Sequence, residues 1–302
     1  MSAQATRSLE RLRAFDPLAA GASTALRYVL LDAFSDTALA GNQLAVFPDA
    51  AGLEPERMQL LARELKLPES VFVLEPERGG DARVRIFTPS TELPFAGHPV
   101  LGSAVLLSIA SGQEQVALET GAGVIEVRVR RDAPMRGEGW MRQPLPRWQE
   151  FERAPELLAA LGLERSGLPV ELYDNGPRHV YAEHDSPEAV AALSPDPRAL
   201  RALGELTISC FARAGGSWKT RVFCPALGVE EDGATGSAAG PLAVHLARHG
   251  RVSYGEQIEI RQGEEIGRPS LLYARVRANG ERLQAVEVGG SAVIVAAGAF
   301  AL

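Results

Sequence analysis

Cysteine is scarce in this chain, which holds only Cys210 and Cys224 among its 302 residues. Two cysteines cannot form a disulfide framework, and their spacing matches no zinc motif. The sequence therefore indicates a reducing compartment, and we expect a cytoplasmic location. The glycine patterns that hold dinucleotides and phosphates are missing too. We expect a protein that uses neither a metal ion nor an organic cofactor.

Excess positive charge and long apolar runs are missing as well. Lys and Arg number 31 against 38 Asp and Glu, which gives a net charge of −7. Nucleic acid is therefore not an expected partner. No apolar stretch reaches the roughly 20 residues of a membrane helix, so we expect no membrane partner either. The length of the chain favours about two globular domains.

The first 25 residues differ from the rest of the chain. They are rich in alanine and carry Arg7, Arg11 and Arg13, but they lack the apolar segment of a signal peptide. We expect a poorly ordered N-terminal extension over residues 1–25.

The remainder is rich in strand patterns. Residues 28–34 and 71–74 are short apolar runs, and residues 124–130 alternate between apolar and charged side chains. These patterns predict two buried strands and one half-buried strand. Helices are predicted over Pro55–Leu65, 99–110 and 241–249, and Gly250 is a suitable terminator for the last of them.

An internal repeat accompanies these elements. Residues 85–89 (RIFTP) recur as 221–225 (RVFCP), 136 positions later, and residues 42–47 (NQLAVF) are loosely echoed by 176–181 (GPRHVY), 134 positions later. Each copy then runs into a turn of small residues and a helix, at 96–102 (AGHPVLG) and 234–241 (ATGSAAGP). The ordered echoes predict one fold present twice.

The two small-residue turns suggest a binding site. A helix N-terminus carries free N–H groups and a positive dipole, and glycine lets a ligand approach the backbone closely. Two such turns facing each other would enclose a cleft between domains, where small molecules commonly bind. The expected ligand is a small anion, most simply a carboxylate, although either turn alone could be a structural helix start.

Titratable residues stand beside both turns. His98 lies inside the first turn and could carry a proton near neutral pH, or simply bond to the backbone. Asp232 precedes the second turn and could be an acid–base group or a helix cap. Ser237 could offer a hydroxyl and an N–H to a carboxylate, or act as a plain cap.

Two glutamates compete for the role of general base. Glu69 lies at the mouth of an apolar strand, where partial desolvation would suit a general base. Glu92 stands six residues before His98. The composition around Glu69 by itself favours an ordinary loop glutamate, and the spacing does not decide between the two residues.

Together these residues resemble the PhzF-like family, named for the isomerase of phenazine biosynthesis. The resemblance runs from about Tyr28 to the C-terminus, and segments 245–249 and 257–270 favour the phenazine branch. Gly233 replaces a proline of many relatives, in a loop position that affects no catalytic role. The segments that carry the resemblance are 41–47 (GNQLAVF), 69–74 (ESVFVL), 86–99 (IFTPSTELPFAGHP), 175–180 (NGPRHV) and 231–242 (EDGATGSAAGPL).

The resemblance implies an α+β fold of the diaminopimelate-epimerase type, with two pseudo-symmetric lobes. Each lobe would be a curled mixed or antiparallel sheet around a central helix. We expect a first lobe over 26–140 plus the C-terminal strand at about 291–302, a second lobe over 141–290, and the active site between them. Family members work without a cofactor and are commonly homodimers.

The resemblance also implies roles for individual residues. Glu69 matches the catalytic glutamate, and His98 and Asp232 match assisting acid–base residues. Gly97, Gly236 and Ser237 match groups around the substrate carboxylate. The implied reaction isomerises trans-2,3-dihydro-3-hydroxyanthranilate by moving a proton from C3 to C1, which yields a reactive aminoketone.

Three other functions compete with this interpretation. Two-base racemases of related fold need a cysteine on each face of the substrate, but the matching positions here are Ala96 and Thr235. A family isomerase of another pathway could act on a related cyclic or amino-acid-like carboxylate. A non-enzymatic binding protein is disfavoured, because Glu69, His98 and Asp232 are all present.

Overall fold

The computed structural model describes residues 25–280 and 282–301. The N-terminal extension predicted for residues 1–25 lies outside this range except for Ala25, which opens the first strand. The strands are β1 (Ala25–Ala33), β2 (Asn42–Phe47), β3 (Glu69–Leu74), β4 (Ala82–Phe87), β5 (Glu92–Leu93), β6 (Gln115–Thr120), β7 (Gly123–Ala133), β8 (Arg136–Gln143), β9 (Arg147–Glu150), β10 (Glu171–Asp174), β11 (Arg178–Glu183), β12 (Thr207–Ala214), β13 (Ser217–Cys224), β14 (Val229–Asp232), β15 (Gln257–Gln262), β16 (Ser270–Asn279) and β17 (Arg282–Ala301). The helices are α1 (Pro55–Leu65), α2 (Gly97–Ser111), α3 (Ala154–Leu161), α4 (Pro187–Ala191), α5 (Pro197–Arg201) and α6 (Gly236–Arg248), with a short 3-10 helix at Pro225–Leu227.

The first lobe is a closed ring of strands. Its order is β1, β2, β3, β4, β6, β7, β8 and β17, and β17 pairs back onto β1. Two of the pairings, β2 with β3 and β4 with β6, are parallel, and the others are antiparallel. Closure leaves this sheet without a free edge.

The second lobe repeats the same order of pairings. Strands β9 to β13 follow one another, β13 pairs with β15 in parallel, and the sheet continues through β16 to β17. The pairing of β11 with β12 is parallel, like that of β2 with β3. Strand β17 therefore serves both lobes. The predicted class of fold, two curled sheets each around a helix, is confirmed, while the residue boundaries proposed for the lobes stay a prediction.

Each lobe encloses one helix. Helix α2 contains no Asp, Glu, Lys or Arg, and its residues are buried from Gly97 to Val105. Helix α6 is buried from Gly236 to Ala247 and carries its charge only at the C-terminal end. A helix that is apolar on all sides is stable only inside a core. The amphipathic α1 instead packs on the outside, with Met58 in a cluster of aromatic residues. None of the described helices is long and apolar enough to span a membrane.

The internal repeat is confirmed in side-chain detail. Arg85 on β4 donates two hydrogen bonds to Glu92, at 2.7 and 2.6 Å. Arg221 on β13 donates the same pair to Glu231, at 2.9 and 2.7 Å. Each guanidinium also lies over the phenylalanine two residues further along its strand, at 5.2 and 5.1 Å from the ring centre. The second echo paired Leu44 with Arg178. The strand pairings instead align Leu44 with His179, one residue further along the chain.

The last helix starts earlier than predicted. The pattern placed its start at Pro241, but α6 begins at Gly236 and Pro241 lies inside it. Proline lacks the N–H that would bond to the carbonyl of Ser237. Asn175 supplies the missing donor, with Nδ2 at 3.0 Å from that carbonyl oxygen. Helix α2 begins two residues before its predicted start, whereas Pro55–Leu65 is confirmed.

Candidate active site

The N-termini of α2 and α6 meet between the lobes. A Cβ built on Gly97 would lie 2.5 Å from the carbonyl carbon of Gly236 and from the nitrogen of Ser237, so only glycine permits this approach. Neither N-cap side chain, of Ala96 or of Thr235, bonds to the helix that follows it. The structure thus brings Gly97, Gly236 and Ser237 together, at two positive helix ends.

Glu69 faces His98 beside this junction. Glu69 opens β3 in parallel register with Leu44, and its Oε2 lies 3.0 Å from His98 Nε2. The side chains are 14% and 3% exposed. The distance is that of an ion pair, but the two atoms are not aligned as a hydrogen bond, and neither has another partner among the described residues. Both atoms are buried and have unused hydrogen-bonding capacity.

The charge of His98 depends on opposing effects. Burial disfavours the imidazolium, while the carboxylates of Glu69 and Asp232 and the backbone carbonyl of Gln43 favour it. The favourable interactions prevail, and the pKa of His98 lies above its ordinary value. His98 therefore carries positive charge over a wider pH range than a free histidine.

Asp232 joins the site through a neighbouring amide. It ends β14, and its Oδ1 accepts a hydrogen bond from Asn42 Nδ2 at 2.7 Å. The same amide nitrogen lies 3.0 Å from His98 Nδ1. The other carboxylate oxygen accepts from the Thr235 hydroxyl at 2.6 Å. All six residues predicted for the site therefore lie in one region, although their roles stay predictions.

Several residues that the sequence analysis did not single out support this region. Gln262 donates to the backbone oxygen of Asp232 and to the Thr235 hydroxyl, both at 2.9 Å, and accepts from the Thr235 N–H at 3.2 Å. Asn42 and Thr235 were visible in the quoted motifs, but their partners lie far away in sequence. No local pattern identifies Gln262.

The Arg268 guanidinium holds the turn that precedes Asn42. Arg268 pairs with the buried Asp32 and donates to the carbonyl oxygens of Gly41 and Ala40, at 2.8 and 2.9 Å. Leu39, with a positive φ of 68°, donates its N–H to the same aspartate at 2.6 Å. Arg268 thereby links the segment after β15 to the turn that leads into β2.

Comparison with known proteins adds independent evidence. Residues 31–298 match the family described as phenazine biosynthesis-like protein. The chain belongs to this family. It is 53% identical, over 90% of its length and 98% of the relative, to a trans-2,3-dihydro-3-hydroxyanthranilate isomerase of Pseudomonas aeruginosa. It is 50% identical to the isomerase of the same name from Pseudomonas fluorescens, over 91% and 99% of the two chains. A solved structure described as a predicted epimerase of Pseudomonas aeruginosa is 33% identical, with a TM-score of 0.79 over 91% of this chain and 98% of that one.

Glu92, the other candidate base, lies in a different environment. Glu92 is held by the double hydrogen bond from Arg85, and its side chain is 41% exposed. Its counterpart in the second lobe, Glu231, is held by Arg221 in the same way. Glu92 thus belongs to a repeated structural pair, whereas Glu69 is the glutamate beside His98.

Neither cysteine is suited to a thiolate role. Both are free and buried. Burial raises the pKa of Cys210 well above its ordinary value. Burial does the same for Cys224, where the charges of Asp232 and Glu69 add to the effect. A thiol that stays protonated is a poor base, which disfavours cysteine-dependent racemisation.

One group of side chains could in principle surround a cation. Glu171, His245 and His249 place their ligand atoms within 4.8 Å of one another. The carboxylate oxygen they share already accepts from the Arg248 guanidinium at 2.6 Å and from Tyr173 at 2.9 Å. These contacts hold the pKa of Glu171 far below its usual range, against the effect of burial. The cluster is charge-balanced by arginine, so we do not assign it as a metal site.

Proposed function

We propose that this protein isomerises trans-2,3-dihydro-3-hydroxyanthranilate with Glu69 as the general base. The observation that carries the proposal is the pair formed by Glu69 and His98 at the junction of two helix N-termini. The name of the two Pseudomonas relatives supplies the substrate. A nearly enclosed carboxylate without an aligned hydrogen bond is suited to accept a proton from carbon.

The helix ends would hold the substrate carboxylate. Gly97, Gly236 and Ser237 lie in the first turns of the two helices, where N–H groups have no acceptor within the helix and the helix dipoles are positive. Loss of a proton from the ring spreads negative charge towards that carboxylate. Fixed N–H groups stabilise such charge without reorganising, which lowers the barrier.

Glu69 would handle both proton transfers. It removes the proton at C3 and returns a proton to C1 on the same face of the ring, so one carboxylate is used and regenerated. The shift conserves atoms and charge, since the carbanion is neutralised at C1 and the enol product then tautomerises to the aminoketone. His98 and Asp232 position the ring and tune the charge around it.

The test uses purified protein and the proposed substrate in heavy water. We expect turnover, with deuterium at C1 in a single configuration, because the carboxyl proton exchanges with solvent between steps. Deuterium on both faces of C1 would require a second proton donor. Absence of turnover, with conversion of another cyclic or amino-acid-like carboxylate instead, would favour the isomerase of a different pathway.

We also propose that the protein acts as a cytoplasmic homodimer without metal or cofactor. Membership of the family supports the dimer. The scarcity of cysteine supports a cytoplasmic location, and the lack of cofactor motifs supports catalysis without metal or cofactor. Light scattering should give twice the chain mass of 32.2 kDa. Dialysis against a strong chelator should leave the rate unchanged, and activity restored by a divalent ion would contradict the proposal.

A further inference from the structure

Asn42 occupies an unusual position between the two lobes. It opens β2, is 2% exposed, and its Nδ2 has three neighbours with acceptor atoms. Asp232 Oδ1 lies at 2.7 Å, the carbonyl oxygen of Ala234 at 2.9 Å and His98 Nδ1 at 3.0 Å. An amide nitrogen donates two hydrogens and accepts none. The reversed amide would set its oxygen against two other oxygens, so Asp232 and Ala234 determine the orientation of Asn42.

This orientation restricts where His98 carries its proton. A hydrogen on Nδ1 would point at the amide hydrogens of Asn42, whereas an Nδ1 lone pair can share one of them. The opposite ring nitrogen, Nε2, lies 3.0 Å from Glu69 Oε2. A hydrogen on Nε2 would lie close to the carboxylate, although not aligned as a hydrogen bond, while the other tautomer would place a lone pair beside that negative charge.

We propose that Asn42 is a positioning residue that selects Nε2 as the proton-bearing nitrogen of neutral His98. Asn42 acts through His98 and does not touch the reacting atoms. The hydrogen on Nε2 then lies beside one oxygen of Glu69 and leaves the other oxygen to receive the substrate proton. This inference rests on the proposed function, because it assigns a role within the same site.

Nuclear magnetic resonance can measure the tautomer directly. Long-range nitrogen–proton correlation on protein labelled with ¹⁵N-histidine distinguishes the two tautomers, at a pH above the raised pKa of His98. The His98→Gln variant identifies the signal by its loss. We expect the wild type to carry the proton on Nε2.

Two variants should move this signal in defined ways. Asn42→Leu removes the donor and should abolish the preference for Nε2. Asn42→Asp replaces the donor by an oxygen that faces Asp232 and the Ala234 carbonyl as well as Nδ1, so it should also abolish the preference for Nε2. Because a wrong histidine tautomer impairs catalysis strongly, kcat should fall by about 10- to 1,000-fold in both. The affinity for 3-hydroxyanthranilate should change by less than about threefold, as expected when binding is unaffected.

A matched control removes a buried asparagine from the other lobe. Asn175→Leu deletes a donor to the Ser237 carbonyl and should leave the His98 tautomer unchanged. The proposal is overturned if wild-type His98 carries its proton on Nδ1, or if Asn42→Leu loses activity while Nε2 keeps the proton. Asn42→Asp preserves the shape if the leucine variant fails to fold. The tautomer needs no substrate, so a wild type that does not convert the proposed substrate would refute only the proposed function.

Discussion

The two lobes share a scaffold but not its chemistry. Strand pairing aligns them residue by residue: Phe87 pairs with Ser70, and Phe223 pairs with Ile208. The residues before these partners, Glu69 and Thr207, therefore open equivalent strands. The first lobe has a carboxylate at this position, and the second lobe has a hydroxyl.

The divergence continues around the junction of the helices. Ile86 on β4 pairs with Leu93, and the equivalent Val222 on β13 pairs with Asp232. Asp232 therefore occupies the position that Leu93 has in the first lobe. At the second position of each helix, His98 corresponds to Ser237. The duplicated scaffold thus brings two helix ends together, while matching positions carry different side chains: Glu69 and His98 in the first lobe, Thr207 and Ser237 in the second.

The largest expected effect is a loss of turnover, and it distinguishes Glu69 from Glu92 in the first lobe. Glu69→Gln keeps the shape but cannot accept a proton, so turnover should fall by about 100- to 10,000-fold. Affinity for 3-hydroxyanthranilate should stay within about tenfold, or about 1.4 kcal/mol. Glu92→Gln is the matched control and should keep near-normal turnover. The opposite pattern in steady-state kinetics would show that the base is Glu92.

The close contact of the helix ends can be tested with single methyl groups. Gly97→Ala drives a carbon into backbone atoms of the other lobe and should cost about 3 kcal/mol or more of unfolding free energy. Gly236→Ala should cost less, because its nearest obstacle is the ring of Phe34 at 2.7 Å, a side chain rather than backbone. Gly216→Ala meets no atom within 4 Å and serves as control in urea unfolding. Equal stability of all three variants would contradict this contact.

The repeated arginine pairs should differ in strength between the lobes. Arg221 is 8% exposed and also donates to the carbonyl oxygens of Ala191 and Leu193, at 3.0 and 2.6 Å. Arg221→Met should therefore cost about 3 kcal/mol, since it leaves a buried carboxylate without its partner. Arg85→Met, at the exposed counterpart, should cost less than about 1 kcal/mol. Thermal unfolding of both variants measures the difference, and equal costs would mean that burial does not distinguish the pairs.

A further difference between the lobes concerns acid stability, because the second lobe buries His179. Burial lowers the pKa of His179 to about 3, and neither ring nitrogen has a partner among the described residues. In the unfolded chain the pKa of a histidine is near 6.5. The contribution of His179 to the free energy of unfolding is therefore fully present above that pH and is lost as the pH falls towards 3. One such group contributes at most about 1.4 kcal/mol per pH unit.

His179→Leu should make this decline shallower in urea unfolding between pH 4 and pH 7. The slope should not vanish, because burial also lowers the pKa of His184 and His245. A variant whose stability keeps the wild-type pH dependence would show that folding does not lower the pKa of His179.

The sequence by itself determined the elements and their duplication. Alternating residues at 124–130 predicted a half-buried strand, and the recurrence of residues 85–89 as 221–225 indicated two copies of one fold. These features depend on short-range sterics and periodicity, which local sequence expresses. The motifs also identified the six residues that the structure brings together.

Tertiary structure alone decided which of these residues touch. Glu69 rather than Glu92 faces His98, Asn42 meets Asp232 across 190 positions, and α6 extends beyond its proline because Asn175 supplies a donor. These contacts arise only when the two curled sheets set their helix ends against each other. No local pattern encodes them, because each partner's position depends on how the rest of the chain packs.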